Sequence, residues 1–152
     1  MAPDFTPLDP DFVSKVTHSF DRQKIMKTLK ATIDTIDAGK VTLEFPYNEQ
    51  FTQQHGFIHA GIISTILDSA CGYAAFSLMP KGAAVLSVEF KVNLLSPAKG
   101  EIFRAKAKVK KAGRTISVVD SELFSCHKNQ KKLIATMTAT IMTVMGREDI
   151  NN

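Results

Sequence analysis

Residues 60–78 read Ala60-Gly61-Ile62-Ile63-Ser64-Thr65-Ile66-Leu67-Asp68-Ser69-Ala70-Cys71-Gly72-Tyr73-Ala74-Ala75-Phe76-Ser77-Leu78, and residues 86–94 read Leu86-Ser87-Val88-Glu89-Phe90-Lys91-Val92-Asn93-Leu94. The first run is apolar on two adjacent rows, Ile62, Ile66, Ala70, Ala74 and Ile63, Leu67, Cys71, Ala75. That is the pattern of a helix buried on more than one side. The second run alternates Leu86, Val88, Phe90, Val92 and Leu94 with Ser87, Glu89, Lys91 and Asn93, the period of a strand with one face against a core. Pro80 helps to end the helix between them. A change of period from 3.6 to 2 over so short a distance predicts one long buried helix feeding a sheet.

Reading outward, the period of two persists to the C-terminal side. Phe103, Ala105, Ala107 and Val109 alternate with Arg104, Lys106, Lys108 and Lys110, and strands over 114–127 and 132–145 follow turns at Ala112-Gly113 and 127–131. To the N-terminal side, strands at 29–36 and 40–46 are joined by the turn Asp37-Ala38-Gly39. Asp9-Pro10 caps a helix over 10–26, whose apolar face is Phe12, Val13, Val16 and Phe20. Short links imply antiparallel neighbours. The expected architecture is α+β: a curved antiparallel sheet of about six strands wrapped around a long central helix, with an additional N-terminal helix. The 152 residues make one domain, with a core over about 28–145 and a frayed tail at 146–152.

Composition narrows the class. Two cysteines, Cys71 and Cys126, exclude a disulfide scaffold, and neither they nor the four histidines show metal-ligand spacing. No signal-like N-terminal segment and no long uninterrupted apolar window are visible, so a cytoplasmic setting without a membrane span is expected. The net charge of +4 is unevenly spread: residues 99–132 hold ten Lys/Arg against three Asp/Glu. Such a band suits an anion. Its densest run, Lys106 to Arg114, has no interleaved aromatics, and no nucleic-acid module is recognisable, so no nucleic-acid partner is expected.

The informative charge is negative. Residues 50–80 contain one charged side chain, Asp68, where a chain that is 22% charged would carry about seven. A carboxylate in an apolar helix must find donors or shift its ionisation, and such groups concentrate at functional sites. At the start of the same helix stand Gly56, His59, Ala60 and Gly61. Small residues there leave backbone N–H groups open to a ligand, and these groups suit a developing oxyanion. Together they suggest acyl transfer.

The run from His55 to Ala75, with Gly56-Phe57-Ile58-His59-Ala60-Gly61, Thr65, Asp68 and Ala70 in register, resembles the signature of hotdog-fold thioesterases of the phenylacetate-degradation (PaaI) type, G-x-x-H-G-G-x-x-x-T-x-x-D-x-A. Ser87 to Gly100, with its Ser96-Pro97-Ala98 exit, and Gly113-Arg114-Thr115 extend the likeness over about residues 28–145. The resemblance implies hydrolysis of an acyl-CoA thioester. It makes Asp68 the general base or nucleophile, the Ala60 N–H the donor to the thioester carbonyl, and Ser87 a hydroxyl that orients water. It also implies a homo-oligomer, a dimer or a dimer of dimers, whose sites lie between protomers. Coenzyme A enters as part of the substrate, with no other cofactor. Two positions depart from the pattern: Ala60 stands where Gly is usual, and Gln53 where Asn is frequent.

The other candidates divide as follows. His59 and Gly61 belong to the helix start beside the substrate, His59 in a structural role. His55 is open between solvent and the mouth of the site. Arg114 is the favoured contact for the phosphates of CoA. Cys71, without a paired base, reads as a small buried hydrophobe. The competing function is a non-catalytic acyl-CoA-binding module, which would keep the pocket and the basic band but not need Asp68.

Overall fold

The computed structural model describes residues 4–150. Its elements are α1 (Phe12–Arg22), α2 (Lys24–Leu29), β1 (Thr32–Asp37), β2 (Lys40–Pro46), a 3-10 turn (Glu49–Phe51), α3 (Ala60–Phe76), β3 (Ala84–Leu94), β4 (Ile102–Ala112), β5 (Ile116–His127) and β6 (Gln130–Val144). The six strands form one antiparallel sheet in the order β1-β2-β4-β5-β6-β3. Helix α3 lies against β2, β3, β4, β5 and β6. Ile66, Leu67, Ala70, Cys71 and Ala74 are wholly buried beneath it. Facing them are alternate sheet residues: Leu43, Phe103, Ala105, Val109, Val119 and Leu123. Burial of this interleaved apolar surface is the main stabilising term. Phe45 and Phe103 stack at 5.1 Å on adjacent strands.

The N-terminal helix is not continuous over 10–26. Gln23 takes an extended conformation (φ −77°, ψ 104°) and divides α1 from α2. In an unbroken helix Met26 would lie six residues, or about 240°, round from Phe20 and away from the core. The break turns Met26 and Leu29 inward, where both are 1% exposed. The first strand starts at Thr32 rather than 29, because Leu29 closes α2 and Lys30 leaves it in the left-handed region (φ 54°). At the other end of that strand, Gly39 (φ 73°) forms the turn. Its N–H donates to Ser77 Oγ (2.8 Å), and Ser77 Oγ donates to the Ala74 carbonyl (2.7 Å). The hairpin is thereby tied to the end of α3.

Strands β3 and β4 are not neighbours, although their link is short. The chain crosses from the β3 edge over residues 95–101, held where Leu95 and Ser96 N–H both reach the Ile134 carbonyl (2.8 and 3.2 Å). As a result β3 is an edge strand with an open side. Its apolar residues are exposed: Val88 by 54%, Phe90 by 42% and Leu94 by 53%, with Leu95 at 54% just beyond. Phe90, Val92 and Leu94 pair with buried Ala139, Met137 and Ala135 on the helix side of the sheet. An apolar row on the core side that remains uncovered is the mark of a surface that packs against another molecule.

The strict alternation expected over 86–94 is also interrupted. Ser87 pairs with Ile141 and Glu89 with Thr140, so Val88 is an extra residue and the ladder shifts there. This β-bulge turns Ser87 to the helix side, together with Phe90 and Val92, instead of to the outer side with Glu89.

Candidate active site

Two candidate half-sites, each a cavity, lie at opposite ends of β3. The first is a cavity of about 460 Å³ between α1, α3 and the start of β3, lined by Asp68, Gly72, Tyr73, Ser19, Gln23 and Ser87 among others. Here Ser87 Oγ donates to Asp68 Oδ1 at 2.6 Å. The lone carboxylate of the apolar helix has thus found a donor, and the bulge at Val88 supplies it. The carboxylate is only partly buried and opens onto the cavity, where a water or a substrate can reach it. Around it, Ser69 Oγ donates to Gln23 Oε1 (3.2 Å), and Ser19 Oγ donates to Tyr73 Oη (3.5 Å). Burial pushes the Tyr73 hydroxyl up from its ordinary pKa, partly opposed by the Ser19 contact.

The second half-site is a cavity of about 390 Å³ between the start of α3 and the end of β3, lined by Gln53, Phe57, Ala60, Leu94 and Ser96. His59 is the N-cap of α3. Its Nδ1 accepts from the Gly61 N–H at 2.9 Å, which requires that nitrogen to carry no proton. The N–H groups of Ile62 and Ile63 reach the His59 carbonyl (3.0 and 3.2 Å). Of the four amides that open the helix, Ala60 N–H is the one that no acceptor among the described residues takes. A side chain at Gly61 would place its Cβ 3.1 Å from His59 Nδ1, so the small residue there protects the cap.

The remaining candidates are placed as follows. Gln53 lines the second cavity, and its Oε1 accepts from the His55 N–H. Its amide therefore shapes the loop before α3 as well as the cavity wall. Exposed His55 lines neither cavity. Arg114 lies in a separate cleft with Phe5, Leu78 and Met79, at the far end of α3 from Ala60. Lys106 and Lys108 stand exposed on the outer sheet face, while Arg104 pairs with Glu44 and Lys110 with Asp120 (2.8 Å). No member of the basic band shares a cavity with Asp68 or Ala60 within one protomer. Cys71 is fully buried and donates to Ser121 Oγ (3.2 Å). Burial pushes its thiol up to about 12, which keeps it protonated and unreactive. Sequence reading missed Ser19 and Gln23, because the contact of Gln23 with Ser69 joins residues 46 apart and leaves no trace in local pattern.

A carboxylate with a hydroxyl partner and an unpaired helix-start amide are the parts of an acyl-transfer hydrolase. Over residues 55–130 the chain matches the thioesterase superfamily. It belongs to that superfamily, within the class of thioester hydrolases, and its architecture is the hotdog fold. Human acyl-coenzyme A thioesterase 13 is 33% identical over 107 residues, spanning 70% of this chain and 74% of that protein. A thioesterase family protein of Silicibacter pomeroyi is 56% identical with a TM-score of 0.88, covering 89% of this chain and 99% of the other. The Escherichia coli PaaI protein from the phenylacetic acid degradation operon shares the fold at 21% identity and a TM-score of 0.80, covering 91% and 97% of the two chains. Among the described residues no helix is long and apolar enough to cross a membrane.

Proposed function

We propose that this protein hydrolyses acyl-CoA thioesters at sites shared between two copies of the chain. The observation that carries the reading is the placing of the two half-sites. Asp68 follows Ala60 by eight residues, which separates them by about 12 Å along the axis of α3. One chain's carboxylate and amide are too far apart to act on one carbonyl. The half-sites sit at opposite ends of the same open edge strand, beside Ser87 and beside Leu94. Pairing two β3 edges antiparallel about a two-fold axis brings the start of one strand beside the end of the other. It also covers Val88, Phe90 and Leu94. Asp68 and Ser87 of one protomer then face Ala60 and Gln53 of its partner.

In that site the Ala60 N–H of one chain receives the thioester oxygen and stabilises negative charge as it develops. The methyl group of Ala60 leaves the N–H in place, so replacing the usual Gly keeps the donor. Asp68 of the other chain takes a proton from water as it attacks the carbonyl carbon. Alternatively the carboxylate attacks directly, and water then cleaves the resulting anhydride. Both routes release CoA thiol and the free acid, and both fit the same carboxylate. Ser87 holds the carboxylate in one rotamer. Coenzyme A travels with the substrate and no further cofactor takes part.

The test is a panel of acetyl-, hexanoyl-, phenylacetyl- and longer acyl-CoAs, with detection of the free thiol. Hydrolysis of at least one member supports the reading. Hydrolysis of none, with tight binding retained, overturns it in favour of a binding module. Ser87→Ala is expected to lower kcat by about ten- to a hundredfold, the worth of a hydrogen bond to a charged group, with KM little changed. Steady-state kinetics on the best substrate measures that split.

A further inference from the structure

Gly72 lies in the interior of α3, four residues beyond Asp68, and lines the same cavity. Glycine is, proline aside, the least favourable residue at such a position. The usual reasons for it are absent here. Its φ is not positive, and no neighbour outside its own helix turns approaches closely, since a Cβ built on it meets nothing within 4 Å. That empty space is the cavity itself. Beyond Asp68 the alanines of the same helix, Ala70, Ala74 and Ala75, are packed in the core.

We infer that Gly72 is a specificity-determining residue, which sets the depth of the acyl pocket. The inference rests on the reading of Asp68 above, because that reading places the thioester carbonyl beside the carboxylate. Gly72 is about 6 Å further along the helix axis. An acetyl group ends short of it, whereas a hexanoyl chain or a phenylacetyl ring reaches it. A pocket of about 460 Å³ is within the usual range for a small-molecule site. The wall opposite Gly72 does not retreat easily, because Gln23 is held by Ser69 and Ser19 by Tyr73. A side chain at 72 therefore shortens the pocket. The substrate class that follows is acyl-CoA with an acyl group of medium length or an aryl ring, rather than acetyl-CoA.

The test uses non-hydrolysable thioethers, so that it does not depend on turnover. S-hexyl-CoA and S-ethyl-CoA are titrated calorimetrically against the full-length protein, Gly72→Ala and Gly72→Val. Gly72→Val is expected to weaken S-hexyl-CoA at least tenfold and S-ethyl-CoA less than twofold. Gly72→Ala should fall between wild type and Gly72→Val for S-hexyl-CoA, while its Tm rises by about 2–4 °C because alanine suits a helix better. Equal weakening of both thioethers, no weakening of either, or failure of wild type to bind S-hexyl-CoA overturns the inference. If Gly72→Val does not fold, Gly72→Ala carries the same comparison, with weakening of S-hexyl-CoA alone as the supporting result. A wild type that binds S-hexyl-CoA in this size-dependent way but cleaves no acyl-CoA refutes the proposed hydrolysis while leaving the pocket assignment standing.

Discussion

Asp68→Asn is expected to lower kcat/KM by about 10²- to 10⁴-fold, the range that a positioned acid–base group contributes. The substitution is nearly isosteric. Asparagine keeps an oxygen that can accept from Ser87 Oγ, which now sits 2.6 Å from Asp68 Oδ1. It loses the negative charge and with it the capacity to take a proton or to attack a carbonyl. The thermal midpoint should stay within a few degrees of wild type. Asp68 is only partly buried and bonds to the Ser87 hydroxyl, so no core contact is removed. Some activity above the uncatalysed rate should remain, because in the proposed site the Ala60 N–H would still polarise the substrate. Thiol release and a melting curve on the same preparation measure both quantities. Unchanged turnover would show that Asp68 is not the reacting group.

Ala60→Pro and Asp68→Asn should each be nearly inactive alone, and their mixture should be active. Proline is suited to the first position of a helix, where its missing N–H breaks no internal bond. His59 already has the extended backbone that a residue before proline needs (φ −62°, ψ 141°). The substitution therefore removes one donor and little else, at an expected cost of about 10²- to 10³-fold. In a mixed dimer, one site combines both lesions and the other has neither. Random re-pairing of equal amounts makes half the dimers mixed, so about a quarter of wild-type activity should return. Dissociation and re-annealing of the two variants, followed by the thiol assay, gives this number. If each chain held a whole site, mixing would recover nothing.

Both experiments depend on features of unequal visibility in the sequence. The fold was legible because the two periods are clean: apolar pairs of rows over residues 60–78, then alternation in the strands that follow. Asp68 was legible from the absence of other charges around it, and Ala60 from its place at the start of a helix. The position of β3 was not. Alternation shows that a strand has an apolar face but not which strand it lies beside, and the link to β4 crosses the sheet. Nor was the turn of Ser87 toward Asp68 visible, since a bulge is a shift between two strands and simple alternation assigns Ser87 to the outer face. The break at Gln23 was hidden because Met26 and Leu29 overrode helical continuity, the gain in burial outweighing a helical turn. Gly72 carried a readable signal, a helix-interior glycine one turn from the lone acid, whose meaning became plain only with the cavity in view.

The bulge at Val88 has a bearing on how two edges can meet. A regular strand edge is a ruler with identical marks, and two such edges can slide past one another in steps of two residues without turning their side chains over. A slip of that size would move the facing half-sites apart by about 7 Å, enough to part a carboxylate from its amide. An irregularity interrupts the marks. In the proposed two-fold arrangement one lies toward each end of the seam, leaving Glu89 to Leu94 between them as the stretch of uniform ladder. In that arrangement the same extra residue that aims a hydroxyl within one chain would serve as an end-stop between chains, and would fix where a site composed of two halves closes.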